Sequence, residues 1–524
     1  MSYRPVTTDE VRRLLSHVPN KQCSLDPVPT WLLKALTNTV PDIIARLINV
    51  SLQSGIFPSS QQHALVKPVL KKPQLDPTDP NNYRPISNLS FLSKLLERTV
   101  ASRLTEYLEH NKLMPVNQSA YRRRHSTETA LLKICNDALI AADRGMVTLV
   151  VLLDYSAAFD TVDHGVMLDV LKYRFGLTGS ALQWHSNYLS GRSFAVVSAG
   201  ETSTSINLEC SLPQGSSLGP LKFILYASEL HDLTGRYGVG MHGFADDTQL
   251  FRHLFLCDIS SAKRDMLAAI ADISQWSFAH KLKLNPDKSE VIWLGSRQQL
   301  AKLSEADKSL QLPDGLVRSS TTVKNLGVVI DERLSFDDQA RSCIKSCYFH
   351  LRRLKQIRRY VEPDVIHSLV HAFVTSHLDY CNGLFAGCNA YTVRRLQRVQ
   401  NTAARLVLDV PHSSPSQPLL RELHWLPIES RIKFKLCVLI YRVSRGTAPL
   451  YLCELCKPCT DSRLRSKSRG DFITPRTRLR FTDRAFAVSA PSAWNSLPID
   501  IRDCSSEATF KKHLKTFLFH VAFN

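Results

Sequence analysis

Strands interleaved with helices between residues 61 and 335, followed by a helical and basic remainder, predict an α/β or α+β core for this 524-residue chain. Two stretches carry that expectation. Thr148 to Leu153 (TLVVLL) is a continuous apolar run that stops at Asp154, the pattern of a strand buried on both faces whose end reaches a polar site. Gly235 to Phe251 (GRYGVGMHGFADDTQLF) has the pattern of strand, tight turn and strand, with Asp246 and Asp247 at the turn.

In chain order, residues 1–60 form a helical N-terminal extension: two helices separated by a turn at Leu25-Asp26-Pro27-Val28-Pro29. The second carries apolar residues at Leu32, Leu33 and Leu36 and onward through Ile43, Leu47 and Leu52. From Ala64 to Leu70 a short β-prone run leads into Lys71-Lys72-Pro73 and the stretch PQLDPTDPNNYRPI, too rich in proline and asparagine for regular structure. Helical periodicity resumes from Leu92 to Leu108, and another helix is expected from Gly165.

Lysine and arginine total 66 against 47 acidic residues, a net charge of +19, so the long-range field attracts polyanions and nucleic acid is the leading partner. The amino terminus, MSYRPVTTDEVRRLL, lacks the apolar stretch of a secretory signal, and the run around Val147 to Leu153 is far below the ~18 residues of a spanning helix. No membrane role is implied. Thirteen cysteines without regular spacing fit reduced thiols in the nucleus or cytoplasm. Cys453, Cys456 and Cys459 hint at a zinc site but lack a fourth ligand at typical spacing, and His367 and His371 stand four apart without the glutamate of a zinc-protease motif.

The chemistry rests on carboxylates. Asp154 closes one apolar strand, while Asp246 and Asp247 stand together at a turn 92 and 93 residues later. Adjacent carboxylates repel, and placing a third beside them is costly unless a cation neutralises the group. Magnesium is the natural cation because it takes oxygen ligands, usually one or two carboxylates plus substrate phosphates. Two such ions about 3.5–4 Å apart serve an in-line displacement at phosphorus. An Asp-Asp pair at a turn also follows from turn propensity alone, so its context has to decide.

That context is a series of blocks. LDYSAAFDTVDH (153–164), LPQGSSLGPLKF (212–223) and GFADDTQL (243–250) resemble, in order, three core motifs of reverse transcriptases in LINE-like non-LTR retrotransposons. NYRPISNLSFLSKLLER (82–98), NQSAYRRRHSTETALL (117–132), LKLNPDKSEVIWLG (282–295) and VKNLGVVIDERLSF (323–336) match further blocks of that family in the expected sequence. The flanking regions also resemble jockey-type and chicken-repeat-type elements.

The resemblance implies an α+β right-hand polymerase: fingers and a palm with an antiparallel sheet over 61–335, then a helical basic thumb and C-terminal region over 336–524. It implies that Asp154, Asp246 and Asp247 bind two Mg²⁺ ions, or Mn²⁺, for nucleotidyl transfer of deoxynucleotides onto a primer 3′-hydroxyl. Phe159 matches an aromatic gate against a ribose 2′-hydroxyl, and Gln214 with Gly215 matches a loop beside the incoming nucleotide. The stretch Ser216 to Leu230 reads as a helix whose N-terminus would favour phosphate. Lys71 and Arg84 match cations on the triphosphate, with Lys67 and Lys72 as alternatives to Lys71; Lys288 matches a general acid for pyrophosphate release.

Departures from the family pattern are Tyr155 for an aliphatic residue, Lys222 for leucine, Arg122-Arg123-Arg124 for Pro-Gly, and Phe244 for tyrosine. None removes a catalytic ligand. Lys222 puts a charge on a helix expected to be buried. The resemblance also implies an apurinic-type endonuclease ahead of this region, which the sequence does not contain. The expected partners are an RNA template, a DNA primer and deoxynucleoside triphosphates; the sequence gives no oligomeric state. Basic clusters at 351–359, 394–398 and 461–469 suit a thumb gripping an A-form duplex through its phosphates. Two rivals remain: a retroelement-derived RNA-binding protein without polymerase activity, and an RNA-dependent RNA polymerase, against which Phe159 argues.

Overall fold

The computed structural model describes residues 3–18, 20, 23–312, 315–460 and 469–524. The chain divides into two compact units. Met1–Tyr121, Tyr155–Leu233 and Ala271–Asn285 make the first; Arg122–Asp154, Thr234–Ile270 and Pro286–Asn524 make the second.

In the first unit, helix Thr8–His17 starts from a reciprocal capping box between Thr7 and Glu10. The single helix expected across Leu32 to Leu52 is instead two, Thr30–Ala35 and Val40–Ser54. Pro41 explains the break: a proline lacks the N–H and clashes inside a helix but is tolerated in its first turn, where it stands here. The sheet runs in the order Tyr83–Asn88, His63–Leu70, Ser193–Ser198, Glu201–Thr202. His63–Leu70 is antiparallel to Tyr83–Asn88 and parallel to Ser193–Ser198.

Tyr83 to Ile86, expected as irregular, is therefore strand. Pro85 lies opposite Pro68 in an edge strand, where a residue without an N–H costs little. Behind the sheet, Phe57 meets Trp184 and Tyr188 edge-on at 5.4 and 5.2 Å, and the Trp184 indole donates to Ser51 Oγ at 3.0 Å.

The second unit is built on a four-stranded antiparallel sheet in the order Glu290–Leu294, Val147–Leu153, Asp247–Leu254, Gly240–Phe244. Val147–Leu153 is central and nearly all buried, as its unbroken apolar run requires. One face packs on helix Thr127–Asp143, and Val150, Ile292 and Leu294 join Leu131, Cys135 and Leu139 in one core. That core continues without interruption into the helices Asp337–Ile357, Ala390–Leu408, Ile428–Ser444, Phe486–Asn495 and Glu507–Phe523. The region beyond Phe336 is helical, as its sequence texture predicts.

Among the described residues no helix is long and apolar enough to cross a membrane.

Candidate active site

Register alone brings the three aspartates to one end of the second unit's sheet. Leu153 pairs with Thr248, so Asp154 and Asp247 are the next residues on adjacent antiparallel strands. Asp247 also pairs with Phe244, closing a tight turn in which Ala245 takes a left-handed φ of 58° and Asp246 occupies the remaining position. Though residue 247 is at the surface, its carboxyl is pushed up to about 6, first by burial and then by the charges of Asp246 and Asp154. Burial and two neighbouring acids thus destabilise the ionised form of Asp247.

Lys288 sets a positive charge against Asp154, its ammonium donating to Asp154 Oδ2 at 2.8 Å. Lys288 comes from the short turn Pro286–Lys288 before strand Glu290–Leu294, itself paired with the strand that ends at Asp154. Among the described residues no three His, Cys, Asp or Glu side chains converge as metal ligands do. The donor set is nonetheless right for a hard cation, being all carboxylate oxygen.

In the first unit, Phe159 is half-buried and its ring stacks on Phe223, centroids 4.6 Å apart. Its carbonyl accepts from the Leu212 amide at 2.8 Å, which ties the 153–164 block to the loop carrying Gln214. Gln214 Nε2 donates to both oxygens of Asp160, at 2.9 and 3.1 Å, and its carbonyl accepts from the Ser87 amide at 2.7 Å. Gly215 has φ 127°, and a Cβ there would lie 2.4 Å from the Ser87 carbonyl oxygen. Both facts demand glycine.

Lys71 and Arg84 lie exposed at the end of the His63–Leu70 and Tyr83–Asn88 strand pair that the 71–82 loop closes. Lys71 donates to the Asn81 carbonyl at 2.7 Å and attracts the Asp160 carboxylate, which burial nevertheless holds above the usual carboxylate range. A cavity of about 310 Å³ opens beside this group, lined by Ser87, Pro85, Asp160, Arg192 and Gln214.

The helix after Gln214 departs from expectation. It is shorter, Gly219–Tyr226, and its N-terminal amides are already taken. The fully buried Glu97 carboxylate accepts from the amides of Ser217 and Leu218 and from the hydroxyls of Ser216 and Tyr188. A carboxylate satisfies the role foreseen for phosphate. Glu97 and Asp160 are the residues sequence reasoning missed; both stand inside recognised blocks, Asp160 directly after Phe159 and Glu97 in SKLLER.

Lys222 is buried on that helix, and its ammonium nitrogen has no hydrogen-bond partner. In the 453–459 group, burial raises the Cys453 thiol and lifts Cys456 to about 12, which disfavours the thiolate at both. His367 and His371 are half-buried with rings 4.5 Å apart, against Trp425. In the 351–359 cluster Arg352, Arg353, Lys355 and Arg359 are exposed, whereas Arg358 donates to the carbonyls of Leu406 and Val407 and closes a helix end. The 461–469 cluster lies outside the described residues except for Arg469.

Residues 69–330 match the family model for reverse transcriptase (RNA-dependent DNA polymerase). The chain is 26% identical over 440 residues to a probable RNA-directed DNA polymerase from transposon BS of Drosophila melanogaster, covering 82% of this chain and 47% of the relative. It is 27% identical over 338 residues to the RNA-directed DNA polymerase from mobile element jockey of the same fly, covering 63% and 36%. The X-element polymerase gives 27% over 406 residues, covering 74% and 42%. This chain therefore spans about half the length, or less, of the curated relatives it matches. Among solved structures, apo telomerase from Candida tropicalis superposes with a TM-score of 0.38 at 10% identity, over 74% of this chain and 70% of that one, too loosely to carry a topology.

Proposed function

This chain belongs to the reverse transcriptase (RNA-dependent DNA polymerase) family, and we propose that it copies RNA into DNA by adding deoxynucleotides to a primer 3′-hydroxyl. The observation that carries the reading is the strand register that brings Asp154, Asp246 and Asp247 to one end of a sheet, where burial and the charges of Asp246 and Asp154 raise the Asp247 carboxyl. These three would hold divalent magnesium. When bound there, two ions lower the proton affinity of the attacking hydroxyl and neutralise the departing pyrophosphate.

The chain's own residues do the rest. Phe159, fixed by its stack on Phe223, excludes a ribose 2′-hydroxyl by bulk. Gln214, held at its side-chain amide by Asp160 and at its carbonyl by Ser87, presents a rigid loop to the nucleotide, and Gly215 lets that loop pack against the Ser87 backbone. Lys71 and Arg84 supply exposed cations for the triphosphate. Lys288, which donates to Asp154, would hold that carboxylate between turnovers and release a proton toward pyrophosphate during one. In this reading residues 61–335 are fingers and palm and 336–524 thumb and C-terminal region, with RNA template and DNA primer as partners.

Asp246→Asn tests it. Primer extension on a primed homopolymer RNA with magnesium should fall by about a hundredfold or more, the scale of losing one charge-stabilising group. Hybrid binding and circular dichroism should stay near the parent's. A variant that extends at the parent rate, or one that unfolds, removes the metal role and leaves a turn residue in an RNA-binding protein.

A further inference from the structure

A second cavity lies in the second unit, well away from the aspartates. Strand Glu290–Leu294 is an edge of the four-stranded sheet, and the chain from Ser319 to Arg333 runs along it. The Ser320 amide donates to the Val291 carbonyl at 2.8 Å and the Gly295 amide to the Glu332 carbonyl at 3.0 Å. Between them opens a space of about 450 Å³, within the range of small-molecule sites. Trp293, on its wall, pairs across the sheet with Leu149, five residues before Asp154. The separation along the strand is about 17 Å.

The wall has an unmet need. Ile292 and Leu294 point into the core, so Trp293 takes the opposite face; the residue is 3% exposed and its indole N–H has no acceptor. An indole nitrogen only donates, so the missing partner is an acceptor. Around it stand three cations, Arg297, Lys308 and Arg333, against one lining carboxylate, Glu332. Arg333 is only loosely held by Glu332 at 3.8 Å, and Lys308 reaches outward to Glu305 at 2.9 Å. Hydroxyls of Ser319, Ser320 and Thr321 add donors, and Leu300, Ala301 and Leu303 give an apolar side.

Donors, cations and apolar side chains lining one cavity match a phosphate carrying a flat apolar body. We propose that this cavity binds a nucleotide through its phosphate at a site separate from the aspartates, with the Trp293 indole N–H as the buried donor. The nucleotide is free or is one unit of a bound RNA strand; the chemistry is shared.

The test is nitrogen-15 indole NMR on the full chain without divalent metal. Six tryptophans give the indole signals, and the one lost in Trp293→Phe is the reporter. Adenosine monophosphate, adenosine and a short oligouridylate are titrated separately. A downfield, saturable move with the monophosphate assigns a free nucleotide, and a move with oligouridylate alone assigns a strand. Arg297→Gln/Lys308→Gln should weaken either by about tenfold or more, as expected for losing charge-assisted contacts. The proposal is overturned if neither phosphate ligand moves the reporter, if adenosine moves it equally well, or if the double variant titrates like the parent.

Discussion

Phe159 stacks on Phe223 with centroids 4.6 Å apart, a contact that would steady its ring in the gating role proposed for it. Phe159→Val should therefore relax sugar choice, lowering the ratio of deoxynucleotide to ribonucleotide incorporation by about tenfold or more. An unchanged ratio with activity intact would make it a packing residue. Lys222 gives a second expectation. Burial pushes its ammonium well below the usual range, Arg192 adds to this, and Glu97 opposes it. The unfolded chain binds that proton more tightly, so the lysine costs more at neutral pH than in alkali, and the cost falls away as pH rises toward its ordinary value. Lys222→Leu should stabilise by about 1–4 kcal/mol at neutral pH, with a gain that shrinks in alkali; thermal melts across pH check both. A lowered melting temperature at neutral pH would show that the amine is satisfied. The anomaly at Lys222 was legible in the sequence because a charge interrupts an apolar run. Glu97 was not, because its partners Ser216, Ser217 and Leu218 lie about 120 residues away.

At the level of elements, period and punctuation located most of what matters. The run ending at Asp154 and the hairpin around Asp246 and Asp247 are where their patterns put them, since a period-two or unbroken apolar run bounded by a turn has few other solutions. Two misses have one cause, proline read without position. Pro41 split a helix that periodicity joined, and Pro85 sat in an edge strand where the loop was extended too far. The C-terminal helix Glu507–Phe523 is fastened at its first turn, where Glu507 accepts two hydrogen bonds from Arg442, at 3.0 and 2.7 Å, and one from Lys511. The Arg442 bonds foremost hold Glu507 down at about 2, below its ordinary 4.5. That stabilisation is fully present above about 4.5 and lost as pH falls through about 2. Glu507→Gln should cost about 1 kcal/mol at neutral pH after allowance for solvent screening, and nothing near pH 2. Denaturant melts at both ends of that range decide it, and a cost independent of pH would point to packing.

Over the whole molecule, a charge of +19 and the exposed Arg352, Arg353, Lys355, Arg394 and Arg398 predict salt-sensitive binding to RNA–DNA hybrids. Each phosphate contact should add about 0.9 or less to the slope of log affinity against log salt, so Arg394→Gln/Arg398→Gln should flatten it by up to about two. An affinity unchanged from low to moderate salt would leave charge with no part in binding. The block order made the family legible from the sequence; the shared core did not emerge, because no local pattern reports that residues 131 and 518 pack in one cluster. That core has a consequence during synthesis. Asn136 accepts a hydrogen bond from the Ala487 amide, 351 residues further along the chain. At the usual pace of a ribosome the segment that covers helix Thr127–Asp143 emerges about 20–70 s after it. Until then Leu131, Leu132, Cys135 and Leu139 have only the part of their cover that comes from earlier residues such as Val150, Ile292 and Leu294, so the nascent chain keeps apolar surface open to hydrophobic-binding chaperones.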